Sequence, residues 1–239
     1  MTYCLGIILP AGLVLASDSR SNAGVDQITV VEKLTLFTQP GERLIAILGA
    51  GNLATTQAVI TTLRQGLDAP PDPDIRTLFN VRTLFDAAEL VGDTLRVATS
   101  RSTPYVEEAS ASFLVSGQIK GEAHRLFRIF PEGNFVEASE RAQFFQLGET
   151  KYGKPILDRA LARATTLDET AKLALLSFDA TMRSNVAVGP PIDMLRYTAD
   201  SFAPGQRDKF DEDNSYWRDL TGHYSEGLVR LVESLPPPP

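Results

Sequence analysis

The chain has 239 residues, 43% of them hydrophobic, with no apolar run of 18 or more and no basic-apolar-small leader; one globular domain is expected, without a membrane span or secretion. Its 23 basic and 30 acidic residues give a net charge of −7, and no block of Lys or Arg offsets this, so the expectation is an acidic cytoplasmic protein that binds neither nucleic acid nor membrane. One Cys and two His exclude an internal disulfide and a common zinc site, and no metal or cofactor is expected.

Residues 2–9 (TYCLGIIL) and 13–17 (LVLAS) read as strands, with hairpin turn chemistry in Pro10, Ala11 and Gly12. Residues 27–37 (QITVVEKLTLF) and 43–48 (RLIAIL) continue the strand set, and their near-continuous apolar character predicts a sheet buried on both faces. Gly49, Ala50 and Gly51 end this group. Asn52 stands at an N-cap position and Gly66 just past the end of a helix over 52–66. After a loop at 66–74, Leu78, Val81, Leu84, Phe85, Ala88 and Val91 take helical spacing within 75–98. Strands follow at 112–119 and 124–130, a turn at Pro131–Asn134, and extended chain over 135–147. Helices are predicted near 151–164 and 168–183, a strand over 192–198, and a polar loop over 201–215. An amphipathic helix over about 216–235 and four prolines close the chain. Grouped strands and grouped helices predict an α+β fold, with helices outside two packed sheets as a four-layer αββα sandwich over 1–239.

Thr2 follows the initiator Met. With Met1 removed, its hydroxyl and a free α-amine share one residue. Such an amine titrates at about 7.7–8.0, close to what a general base needs at neutral pH. A Thr hydroxyl becomes a useful nucleophile only beside such a base. The hairpin returns the end of the second strand to Thr2, which brings Asp18 there. Lys33 can then set an ammonium near the hydroxyl, with Asp18 as the partner a buried cation requires. An Asp at a strand-end turn and a Lys protecting a sheet edge are the plain alternatives. Gly51 ends a strand and precedes a helix, so its N–H is a candidate oxyanion donor, or the site of a tight turn only.

Together these residues resemble the β-subunit family of proteasomes, a branch of the N-terminal nucleophile hydrolases. Residues 12–24 (GLVLASDSRSNAG) are similar to the family's G-x-x-x-A-x-D-x-R-x-T-x-G segment, and residues 50–58 (AGNLATTQA) to its S-G-x-x-A-D-T-Q-A segment. The start (MTYC), residues 22–26 (NAGVD) and residues 182–193 (MRSNVAVGPPID) are most like the bacterial Anbu (ancestral β-subunit) subfamily. The resemblance implies Thr2 as nucleophile, its α-amine as base, Lys33 as the cation that lowers the nucleophile's pKa, Asp18 as its partner and the Gly51 N–H as oxyanion donor. It implies that Ser21, Asn22 and Ala50 help hold an extended peptide, with Arg20, Glu149 and Ser184 in supporting positions. Asn22 stands where Thr is usual. In Leu147-Gly148-Glu149 a carboxylate replaces the hydroxyl of the family's later Ser-Gly segment, and Ser184 and Ala187 stand at its Asp-x-x-Ser pair. It also implies self-association into rings or open helical turns, with the helices predicted at 52–66 and 75–98 as candidate contacts.

Three functions follow: a proteasome-type threonine peptidase, a narrow amidohydrolase acting on a small amide or isopeptide, and an inactive assembly subunit. Cys4 falls on the same strand face as Thr2 and reads as a buried small hydrophobe. His124 and His223 have no convincing catalytic partner. Tyr216, Trp217 and Tyr224 read as core or subunit contact, and the acidic run 208–213 as a solvated loop.

Overall fold

The computed structural model describes residues 2–22, 28–68, 75–102 and 109–238. It is a mixed α+β structure with three antiparallel sheets and, among the described residues, five helices. In the first sheet, β1 (Tyr3–Leu9) and β2 (Gly12–Ser17) form the hairpin predicted around Pro10. β2 pairs with β11 (Ile192–Thr198), β11 with β12 (Gln206–Phe210), and β1 with β10 (Phe144–Gly148). The second large sheet runs β5 (Leu34–Gln39), β6 (Arg43–Gly51), β7 (Ala111–Ile119), β8 (Arg125–Ile129) and β9 (Phe135–Glu137). A small pair, β3 (Arg20–Asn22) and β4 (Ile28–Val30), projects beyond β2.

The buried side chains fall into three clusters. One lies between the sheets, where Leu13, Leu15 and Cys4 meet Leu44, Leu48 and Leu114. A second covers the far face of the β6–β7 sheet, where Ile45, Ile47 and Phe113 meet α1 (Leu53–Asp68) and α2 (Leu84–Ser102) through Val59, Ala88 and Val91. The third covers the far face of the β1–β2 sheet. There Leu5, Ile7 and Val14 pack on α4 (Leu167–Ser184) through Ala174, Leu175 and Phe178, on α3 (Lys154–Ala160) through Leu157, and on α5 (Ser215–Ser234) through Trp217. Strands buried on both faces explain why β1, β2 and β6 are apolar almost throughout.

Four expectations are corrected. The stretch 75–83 is not helical. Leu78 and Val81 are buried, but the Arg43 guanidinium donates to their carbonyls at 3.1 and 3.0 Å, and α2 starts after Thr83. Thr83 and Asp86 cap that start reciprocally, N–H to side chain, at 3.1 and 3.0 Å. The first helix runs through Gly66 to Asp68, since an interior Gly costs a helix only about 1 kcal/mol. The region 135–147 is broken between β9 and β10 by a turn bridged at Ser139 and Ala142. The expected loop at 201–215 contains β12, which includes the start of the acidic run. An edge strand needs only one paired side and carries charge on the other, so its polarity hides it from a pattern search. No helix among the described residues is long and apolar enough to cross a membrane.

Candidate active site

The register of the hairpin sets the site. Cys4 pairs with Ser17, so Asp18 comes level with Tyr3 as β2 ends. The Asp18 N–H donates to the Tyr3 carbonyl at 3.1 Å, and the Tyr3 N–H donates to Asp18 Oδ1 at 3.0 Å. The Arg20 and Gly189 N–H groups donate to Oδ2 at 3.2 and 3.3 Å. Asp18 is fully buried. Burial pushes its carboxyl up, against the opposing pull of the Lys33 ammonium and of the backbone donors.

Lys33 lies in the break between β4 and β5 rather than within a strand. The chain there is pinned by Val31 N–H to Ser19 O at 2.8 Å and by Gly49 N–H to Lys33 O at 3.2 Å. Its Nζ donates to Asp18 Oδ1 at 2.5 Å and to the Arg20 carbonyl at 2.7 Å, and the ion pair is buried on both sides.

Thr2 stands at the head of β1, partly exposed. Its carbonyl accepts from the Glu149 N–H at 2.7 Å. Gly148, with φ of +77°, makes that approach possible, because a Cβ there would sit 1.8 Å from the Thr2 oxygen. Beneath it, the Tyr3 hydroxyl hydrogen-bonds with Ser177 Oγ and accepts from Gln146, each at 2.6 Å, and burial pushes the phenol up to about 12.

Gly51 is the last residue of β6. Its φ is +115°, and a Cβ would fall 2.5 Å from the Ser110 carbonyl. Alternation along β6 fixes which way its amide points. The Gly49 N–H donates toward Lys33 and the Asn52 N–H toward Ser110, so the Gly51 N–H faces the Lys33 side. Asn52 then caps α1, accepting from the Thr55 N–H at 3.1 Å. Thr2, Lys33 and Gly51 line one pocket of about 380 Å3, together with Ser21 and Ala50.

The remaining sequence candidates divide. Arg20 does not line this pocket; it donates to the Val186 carbonyl at 2.5 Å and packs over Gly189, bracing the 185–189 loop that contacts Asp18. Glu149 is buried beside Thr2 and accepts from Asn185 Nδ2 at 3.0 Å. Ser184 is exposed at the end of α4, and the next residue, Asn185, reaches Glu149. Only the backbone of Asn22, at the end of β3, falls among the described residues, and residues 23–27 of the family-like segment lie outside them. Cys4 is buried between the sheets with its thiol 3.6 Å from the Gly49 carbonyl; burial pushes it up to about 12, which keeps it a neutral thiol. His124 bonds to the Leu9 carbonyl at 2.7 Å, at the opposite end of β1 from Thr2, and His223 to its own helix at Asp219.

Sequence reasoning missed Gly148, Asn185, and the Tyr3–Ser177–Gln146 bonds beneath Thr2. Asn185 carried a signal, a polar residue just past a helix end; the other two depend on pairings remote in sequence.

No family model matches the chain, and no curated protein matches it. Solved structures do. Anbu (ancestral β-subunit) from Yersinia bercovieri is 44% identical, with a TM-score of 0.94 over 99% of this chain and 98% of that one. The chain belongs to the Anbu family. Anbu from Hyphomicrobium sp. strain MC1 is 45% identical, with a TM-score of 0.92 and 99% of each chain covered. The helical assembly of the Anbu complex from Pseudomonas aeruginosa matches at 44% identity and a TM-score of 0.94, over 99% of this chain and 98% of that one. Anbu proteins are proteasome-like relatives of the N-terminal nucleophile hydrolases. The expected family, read from residues 2–58 and 182–193, is thereby the right one.

Proposed function

We propose that this Anbu chain is a threonine-type N-terminal nucleophile hydrolase that cleaves peptide or related amide bonds once Met1 has been removed. The observation that carries the reading is one pocket lined by Thr2, Lys33 and Gly51, with Lys33 held on the buried Asp18 at 2.5 Å. In this mechanism the Thr2 α-amine takes the hydroxyl proton as the oxygen attacks the substrate carbonyl. The Lys33 charge stabilises the oxygen as it loses that proton. The tetrahedral oxyanion accepts from the Gly51 N–H. The C–N bond breaks, the α-ammonium returns its proton to the leaving amine, and an ester remains on Thr2. Water attacks that ester with the amine again as base, which releases the acid and restores the hydroxyl. The chemistry calls for no metal or cofactor.

The buried Glu149, where the family has a hydroxyl, favours a narrower second reading, an amidohydrolase with a restricted substrate. A carboxylate near the new amine would hold it as ammonium and weaken the base toward ordinary peptides. The fold reading belongs with this proposal: the three core clusters support a single four-layer αββα domain closed by α5 and the proline tail. The named helical assembly of a relative supports self-association of this chain, with α1 and α2 as candidate contacts.

Intact-mass measurement before and after treatment with a threonine-directed electrophile tests the proposal. Loss of Met1 and one adduct per chain, absent in Thr2→Ala, are expected. A retained Met1, or equal labelling of Thr2→Ala, overturns it and leaves the assembly-subunit reading. Turnover of generic fluorogenic peptides would then separate peptidase from narrow amidohydrolase.

A further inference from the structure

The pocket is built along one stripe of α1. Leu53, Thr56, Gln57, Ile60, Thr61 and Arg64 recur at helical spacing and all face it. Among the described residues three charged side chains line it, and two are already matched. Lys33 is held by Asp18, and Glu32 by Arg207, which also grips Asp193. Arg64 is exposed and makes no ion pair among the described residues. Among the described residues, then, a chain with a net charge of −7 presents a cation without an acidic partner at the pocket that Thr2 lines.

Geometry sets where this cation acts. Arg64 lies about 16 Å along the helix axis from Leu53, at 1.5 Å per residue. Helical side chains lean toward the N-terminus, so an Arg at this position extends back about one turn, past Ile60, on the side of the pocket toward Gly51. It therefore meets a substrate group set back from the attacked carbonyl, on a long side chain or a neighbouring residue. The intervening wall, Thr56, Gln57 and Ile60, is neutral, and it neither supplies a competing carboxylate nor repels one.

Resting on the hydrolase reading, we propose that the pocket selects acidic substrates, with Arg64 pairing a carboxylate carried on the acyl side of the scissile amide. A guanidinium suits this role because its planar fork donates to both oxygens of a carboxylate and stays charged at every working pH. Arg64 is a specificity residue here. It takes no part in proton transfer.

The test uses N-capped tripeptide electrophiles in matched pairs, Glu against Gln at each position in turn, with the rate of Thr2 adduct formation read by intact mass. In parallel, fluorescent peptides of the same pairs are titrated against Thr2→Ala by polarisation. At one position the Glu member is expected to react and bind about tenfold better, the scale of a charge-assisted hydrogen bond in a partly open pocket. Arg64→Gln should erase the difference, Arg64→Glu should reverse it, and raised salt should shrink it. Equal behaviour of every pair in the native chain, or a preference that survives Arg64→Gln, overturns the proposal. If no electrophile adds to Thr2, the hydrolase reading falls. The binding arm still decides this one, a tenfold Glu preference dependent on Arg64 supporting it and equal affinities refuting it.

Discussion

Two buried carboxylates lie at one end of the first sheet. Asp18 sits just past the end of β2, and Asp193 sits on β11 opposite Ser17. Each has a basic partner, and the partners are reached through adjacent residues, Lys33 for Asp18 and Glu32 for the Arg207 that grips Asp193. The arrangements differ in what is left over. Arg207 forks onto Asp193, with Nε at 2.8 Å from Oδ1, and also donates to Glu32 and to the Leu34 carbonyl, which ties β12 to β5. Asp193 and Glu32 hold its guanidinium above its ordinary range. The Asp18 carboxylate is instead satisfied largely by backbone N–H groups, so Lys33 keeps a face toward the pocket. Ion pairs on equally buried acids can thus serve as a clasp or as a poised charge, and the number of other donors on the acid decides which.

The largest expected effect breaks this comparison at its stronger end. Lys33→Met leaves Asp18 buried without its cation, which should cost about 3–5 kcal/mol in urea unfolding and abolish adduct formation at Thr2. A stable, fully reactive variant would refute the assigned role. Gly148→Ala should cost about 1–3 kcal/mol, because the residue keeps a positive φ and displaces the Thr2 carbonyl. Its adduct rate should fall more than its stability suggests. Arg207→Met should cost roughly 1–2 kcal/mol through the unpaired Asp193, yet leave the adduct rate within about twofold. A large fall in rate would show that the clasp and the site are not separate.

A pH series sharpens the same contrast. Burial raises Cys4 from 9.0 and Tyr3 from 10.0, each to about 12. The unfolded chain therefore gives up these protons first as pH rises. Stability should be full below about pH 9 and decline between there and pH 12. Urea midpoints across that range check it, and Cys4→Ala and Tyr3→Phe should each flatten the decline. The smallest effect is expected at Ser184→Ala, within about 0.5 kcal/mol and without change in reactivity, since the side chain is exposed. Asn185→Ala, which strips a hydrogen bond from Glu149, should exceed it in both readouts.

The parts of this molecule legible in its sequence are those fixed by local pattern. Apolar strands around Pro10, the Asn52 cap and the spacing from Thr2 to Asp18 all follow from short-range rules, and they carry the hairpin, α1 and the ion pair. What escaped depends on distant partners. Leu78 and Val81 mimic a helical period but serve as plugs under the Arg43 guanidinium. β12 looks like a loop because half of an edge strand faces water. Ser184 and Asn185 are neighbours of similar polarity, and only the end of α4 decides which one turns inward.

Thr2 occupies the wall of the cavity rather than a free tip, with its carbonyl stitched to Glu149. Any polypeptide joined ahead of it therefore begins at the cavity wall, which Lys33 and Gly51 share. On the proposed mechanism, an affinity handle placed upstream would cap the nitrogen that the reaction needs. Purification tags belong after the exposed prolines at the far end of the chain, and a preparation tagged at the front would appear dead for reasons unrelated to its chemistry.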